Sequence, residues 1–132
     1  MAQAGNSARN RPLSPHLQIW RWGPAMLSSI LHRVTGVGAT VGIFVLLWWL
    51  GALVSGPAYY AWFSWAITTP VGYIVLVGVS WAVIGHTLTG IRHFVLDIGA
   101  GYELEANNRW ATICTIGGFV LTAAFWAVLM LR

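Results

Sequence analysis

The sequence predicts an all-α integral membrane protein, with three transmembrane helices behind an N-terminal cytoplasmic arm. Composition is the first reason. Of 132 residues, 58% are hydrophobic and only 8% charged, against about 25% charged in a soluble domain. So few charges cannot coat a soluble domain of this length. That excludes an ordinary soluble enzyme and a disordered tail, and leaves lipid as the cover for most of the surface. The second reason is placement: stretches 34–91 and 110–131 contain no Asp, Glu, Lys or Arg. The third is length, which suits one domain and holds three runs of the ~20 apolar residues that a membrane helix needs.

Residues 1–27 form the arm. Its first part is polar, carries Pro12 and Pro15, and lacks the apolar stretch of a signal peptide. The first helix is expected over 28–54, with its most apolar part at 34–53. Gly56-Pro57 interrupts the charge-free run. Residues 55–69 then read as an outer loop crowded with Tyr59, Tyr60, Trp62, Phe63 and Trp65, rings that favour the water–lipid interface. The second helix, 70–98, opens on Pro70, a residue suited to a first turn. Gly99 and Gly101 stop it. A cytoplasmic loop, 99–108, leads to the third helix at 109–132, with Asn107 or Asn108 as its candidate N-cap.

Lysine is absent, and all seven cations are arginine. Arg9, Arg11, Arg21 and Arg33 lie before or at the start of helix one, and Arg92 and Arg109 flank the second connection. Arg132 stands alone at the other side. Arginine bias of this kind puts the N-terminus and the 99–108 loop in the cytoplasm, and the aromatic loop and C-terminus outside. The net charge of +4 therefore reads as a topology signal and not as a nucleic-acid surface. The short, turn-rich arm reads as cytoplasmic rather than as a mitochondrial presequence, which points to a bacterial inner membrane. Cys114 is the one cysteine. It can form no internal disulfide and cannot alone hold an iron–sulfur cluster, so it reads as a small buried apolar residue.

Helix two carries the chemistry. His86 lies 16 residues beyond Pro70, about 24 Å along a helix axis. That places it inside the bilayer on the cytoplasmic half, where an ionisable residue is a functional candidate by default. The plain alternative is a neutral imidazole hydrogen-bonded to a neighbouring helix. Gly85 and Gly90 flatten the helix surface beside it, and small residues admit another helix or, equally, a flat macrocycle. His93 is seven residues on, so it shares the face of His86 about 10.5 Å nearer the cytoplasm. Two histidines on one helix face cannot approach opposite faces of one iron. A six-coordinate haem held by His86 therefore needs a second ligand from elsewhere. His32 is the in-chain candidate, but it belongs at the cytoplasmic end of helix one, so a partner chain is the expected source.

Helix one offers Ser29 and Arg33, four apart and stacked on one face. Arg33 reads either as a snorkelling anchor or as a site for an anionic or carbonyl group, such as a haem propionate or a quinone oxygen. Arg92 and Asp97 read as interfacial charges, and Glu103 and Glu105 as solvated loop residues.

Three blocks carry a family resemblance: Arg11-Pro12-Leu13-Ser14-Pro15-His16-Leu17; Ser29-Ile30-Leu31-His32-Arg33-Val34-Thr35-Gly36; and His86-x-x-x-Gly90-Ile91-Arg92-His93-x-x-x-Asp97. With their order, spacing and three-helix plan, the chain resembles the larger membrane-anchor subunit of succinate dehydrogenase, the b-type cytochrome subunit of respiratory complex II. The resemblance implies that His86 is an axial ligand to haem iron. It implies that His32 and Arg33 lie near the haem propionates, and that Ser29 and Arg33 help form a ubiquinone site with apolar walls from Leu17 and Ile30. It also implies a haem b shared with a second, smaller anchor subunit, and assembly with an iron–sulfur subunit and a flavoprotein subunit. A fumarate reductase anchor is the alternative within the redox class. Outside it stands a structural anchor or small transporter subunit whose histidines only satisfy helix contacts.

Overall fold

The structure, a computed structural model, describes residues 21–132. Four helices follow one another: α1 (Pro24–Val54), α2 (Pro57–Ile67), α3 (Pro70–Asp97) and α4 (Leu104–Met130). The helices α1, α3 and α4 are long and apolar enough to cross a membrane, with mean hydropathies of 2.2, 1.8 and 2.1 in their most apolar windows. They run up, down and up. The N-terminus of α1, the C-terminus of α3 and the N-terminus of α4 share one end of the bundle, where the Ala25 amide donates to the Asn108 Oδ1 at 3.4 Å. The expected all-α membrane fold with three spans is therefore the fold observed.

Small residues hold the three long helices together. The buried positions are Ser28, Thr35 and Ala52 on α1, Gly72, Ala82, Gly85 and Thr89 on α3, with Arg92 as the one large side chain among them, and Ala111, Cys114, Gly118 and Thr122 on α4. Large apolar side chains such as Phe44, Ile74 and Phe119 face outward instead. A lipid solvent explains this inversion: burying Leu or Phe gains little when the surroundings are equally apolar, and close backbone approach supplies the packing energy. The approach is tight. A Cβ added to Gly118 would lie 3.2 Å from the Gly85 Cα, and one added to Gly38 only 2.7 Å from the Ala82 Cβ.

The structure corrects the expected connections. Residues 55–69 do not form a loop, because α2 occupies Pro57–Ile67. Gly56, at φ 99°, ends the chain direction of α1, and Pro57 sits in the first turn of α2. A Gly-Pro pair thus starts a helix as well as ending one. Eleven residues span about 16 Å, too short to cross ~30 Å of hydrocarbon, and a helix so short is marginal alone. Packing holds it: Phe63 is buried, its ring edge-on to Trp48 of α1 at 4.8 Å. The α2–α3 junction is close enough to require Gly72, where a Cβ would stand 2.3 Å from the Ile67 carbonyl oxygen. The Thr69 side chain caps α3 by accepting from the Gly72 amide at 3.1 Å.

Two helix starts also move. α1 begins at Pro24, four residues ahead of the expected Ser28, and α4 begins at Leu104, five ahead of Arg109. Neither Asn107 nor Asn108 caps α4. Glu103 takes that position without a side-chain bond, and both asparagine side chains reach other helices. The stop after α3 is as expected, with Gly99 and Gly101 at φ 82° and 78°.

Replacing Gly38 with Leu should cost about 1–3 kcal/mol, because the added side chain overpacks the α1–α3 crossing. Gly51→Leu is the control, since a Cβ there meets nothing within 4 Å. Thermal unfolding in detergent should show a lowered midpoint for the first variant only; equal losses would mean that the crossing is not the sensitive contact.

Candidate functional site

Close to the shared end of α1, α3 and α4, three imidazoles meet. The His32 ring of α1 stacks on the His86 ring of α3 with centroids 3.9 Å apart and planes 10° from parallel. His93 also meets the His32 ring, tilted at 54° with a centroid distance of 4.7 Å. The expectation had separated His32 from His86 in depth. The early start of α1 accounts for the difference, since four extra residues carry His32 about 6 Å further into the bundle.

The hydrogen bonds fix the tautomers. His86 Nδ1 lies 3.0 Å from the backbone carbonyl oxygen of His32. A carbonyl only accepts, so Nδ1 carries the proton and donates. Nε2 is left as the bare nitrogen, with its lone pair available. The Thr35 hydroxyl supports the same corner, donating to the carbonyls of Leu31 and His32 at 2.8 and 3.0 Å, with its oxygen 3.4 Å from His86 Nδ1. His32 is held similarly. Its Nδ1 is 2.7 Å from the Thr89 Oγ1, and the one Thr89 hydroxyl proton goes to the Gly85 carbonyl at 2.8 Å. His32 must therefore donate to Thr89.

Glycine makes the ring contact possible. A Cβ on Gly36 would stand 3.1 Å from the His86 Cε1. Gly90 leaves a gap beside His32, whose Cε1 lies 3.9 Å from where its Cβ would be. Gly85 is buried in the crossing with Gly118 of α4, so of the two partners that its small size was expected to admit, it meets another helix. The parallel stack also bears on the second iron ligand. Side-by-side rings do not point at one atom from opposite directions, so His32 as placed does not oppose His86. Among the described residues, no three His, Cys, Asp or Glu side chains gather as a metal-ion site.

Ser29 and Arg33 sit one turn apart on α1, with the guanidinium Nη2 3.5 Å from the Ser29 Oγ. Arg33 and Ile30 are exposed and Ser29 half-buried. Leu17 lies outside the described residues. Asp97, Glu103 and Glu105 are exposed, although Glu105 belongs to α4 and pairs with Arg109 at 3.5 Å. Arg92, read as an interfacial charge, lies near the C-terminal end of α3 but is not open to the surface. It is buried, 6% exposed, and donates through Nη2 to the Asn107 Oδ1. Thr35 and Gly36 entered the sequence reading only as members of the second block, without a role, and Thr89 was not singled out. Their signal was there: Thr89 falls three residues after His86 and four before His93, the spacing of one helix face.

Residues 7–125 match the family model described as succinate dehydrogenase/fumarate reductase transmembrane subunit. The chain belongs to this family. It is 40% identical over 112 residues to the succinate dehydrogenase cytochrome b556 subunit of Paracoccus denitrificans, covering 85% of this chain and 86% of that one. The b556 subunit of Rickettsia felis is 35% identical over 116 residues, covering 88% and 90%. The mitochondrial cytochrome b560 subunit of Sus scrofa is 36% identical over 115 residues, covering 84% of this chain and 67% of that one.

Thr89→Val should leave the His32 Nδ1–H without its acceptor and cost about 1–3 kcal/mol. Thr89→Ser keeps the hydroxyl and should retain most of the stability. Thermal unfolding with ring-nitrogen NMR of labelled histidine checks both; an unshifted His32 signal in Thr89→Val would show that the bond does not fix this ring.

Proposed function

We propose that this chain, a membrane-anchor subunit of succinate dehydrogenase, provides one axial haem ligand through His86 and one wall of a ubiquinone site through Ser29 and Arg33. The observation that carries the haem assignment is the His86 Nδ1–H bond to the His32 carbonyl. Metal-ligating histidines usually donate the other ring N–H to a carbonyl or carboxylate, which fixes the tautomer and raises the basicity of the ligating nitrogen. The donor set therefore suits a haem iron, with Nε2 of His86 as the ligand and a bound haem b supplying a one-electron redox centre. His32 and Arg33, consecutive on α1, are the groups suited to its propionates. A second ligand would come from the smaller anchor subunit, a reading supported by the parallel stack that keeps His32 from opposing His86.

The quinone assignment rests on placement. Ser29 offers a hydroxyl donor and Arg33 a guanidinium, one turn apart, at the end of the bundle where Arg21, Arg92 and Arg109 also gather. The arginine bias makes this end cytoplasmic, as bacterial relatives from Paracoccus and Rickettsia support for an inner-membrane location. Electrons from succinate oxidation reach the membrane there from the iron–sulfur and flavoprotein subunits, so a quinone reduced by them is best held near this surface. Ile30 and Leu17 provide apolar contact for its ring.

His86→Ala in the assembled complex should abolish or strongly diminish the low-spin b-type band in reduced-minus-oxidised optical spectra. Unchanged haem stoichiometry would assign the ligand elsewhere and leave the histidines as helix contacts. In the same complexes, Ser29→Ala should weaken quinone binding by about 5- to 150-fold, the loss of one hydrogen bond to a carbonyl at about 1–3 kcal/mol. Succinate oxidation by a soluble artificial acceptor should be spared. Equal loss with both acceptors would indicate failed assembly.

A further inference from the structure

Beside the histidines, Thr35 has more polar neighbours than it has protons. It is buried, and its Oγ1 lies 2.8 Å from the Leu31 carbonyl, 3.0 Å from the His32 carbonyl and 3.4 Å from His86 Nδ1. A hydroxyl has one proton and two lone pairs. The proton can serve only a carbonyl, because His86 Nδ1 carries its own and gives it to the His32 carbonyl at 3.0 Å. The shorter distance gives the Thr35 proton mainly to Leu31, the bond four residues back that helical threonines form. A lone pair of Oγ1 is therefore what faces the Nδ1–H. His86 donates toward two oxygens, the carbonyl at 3.0 Å and the hydroxyl at 3.4 Å.

Packing keeps both oxygens in reach. The Thr35 Cγ2 meets α3 at Gly85, 3.7 Å from where a Cβ there would stand. The His86 ring rests against Gly36, its Cε1 3.1 Å from the place of a Cβ. The methyl of Thr35 thus packs, and its hydroxyl polarises. No water competes for the Nδ1–H inside hydrocarbon, and the low dielectric lets a dipole at this range act on it. Each oxygen facing the Nδ1–H makes Nε2 a stronger electron donor. Such a ligand favours the oxidised, more positive iron, and hydrogen bonding of this kind is one of the levers that set the potential of a haem.

We infer that Thr35 is a positioning residue for the redox centre: its hydroxyl oxygen, facing the His86 Nδ1–H, holds the midpoint potential of the bound haem below the value that the His32 carbonyl alone would set. The inference rests on His86 as the axial ligand. Thr35 acts only through His86, so its removal should move the potential without removing the haem.

The test is an optical redox titration of the b-type band in the assembled complex. Thr35→Val keeps the branched shape and removes the hydroxyl. Outer partners of a metal ligand are worth about 10- to 100-fold, and a secondary acceptor should be worth about 3- to 10-fold in the preference for the reduced form. That is a rise of about 30–60 mV, at about 59 mV per tenfold for one electron. Thr35→Ser keeps the oxygen and should keep the potential. Thr122→Val is the control: it removes another buried hydroxyl, which donates to the Gly118 carbonyl at 2.7 Å, and should leave the midpoint in place. Thr35→Ala repeats the measurement if the valine variant does not assemble. In the full-length chain in micelles, without haem, the His86 Nδ1–H proton should move upfield in Thr35→Val. A midpoint unmoved or lowered in the Thr35 variants, an equal rise in Thr122→Val, a serine variant that behaves as the valine one does, or an unshifted Nδ1–H signal would each overturn the inference. These failures leave the ligand assignment standing as long as His86→Ala still removes the band. A band that survives His86→Ala removes the ligand itself, and the inference with it.

Discussion

A neutral imidazole inside a bilayer has two nitrogens to account for, and no water to help. In this bundle the His86 Nδ1–H is taken by a backbone carbonyl, that of His32, at 3.0 Å. That bond ties α3 to α1 and orients the ring. It also decides which nitrogen is left bare. The remaining polar groups of the site follow from it. Thr35 shares the His32 carbonyl, Thr89 receives the His32 Nδ1–H, and each hydroxyl returns its own proton to a helix carbonyl. Unsatisfied polar groups are expensive in hydrocarbon, so such a chain of donors and acceptors is stable when complete and costly when interrupted.

The bond exists because the helices come close. Gly36 admits the His86 ring, and Gly38 and Ala82 let the α1 and α3 backbones meet. Gly85 and Gly118 do the same for α3 and α4. Bulk faces outward to lipid. In a soluble protein such a distribution would expose an aggregating surface; in a membrane it is the ordinary solution, because lipid solvates the large side chains at no loss. Packing and function thus draw on the same residues, which explains why small side chains crowd the histidine positions.

Much of this was legible in the sequence. Charge-free runs and flanking arginines identified three spans, and α3 was bounded to within one residue at its end. His86 stood out because an ionisable group so far from any helix end needs a reason. What escaped was tertiary. An aromatic stretch after Gly56-Pro57 resembles an interfacial loop, and tertiary contacts, among them those of Trp62 and Phe63 with Trp48, hold it as a helix. Asn107 and Asn108 carry a capping chemistry that local rules assign to a helix start, yet partners on α3 and α1 claim their side chains. Arg92 looked interfacial because helix periodicity alone does not say which face another helix will cover. The His32–His86 stack was hidden for a simpler reason: it depends on helix register, and the start of α1 was misplaced by one turn.

The central claim is that this chain presents one ligating imidazole and that the opposing ligand comes from another subunit. Electron paramagnetic resonance of oxidised haem added to the purified chain, alone and together with the smaller anchor subunit, addresses it most directly. A low-spin bis-imidazole signal should arise only when both chains are present. The same signal at full occupancy from the isolated chain would contradict the account, because it would require His32 or His93 to leave the stack and oppose His86.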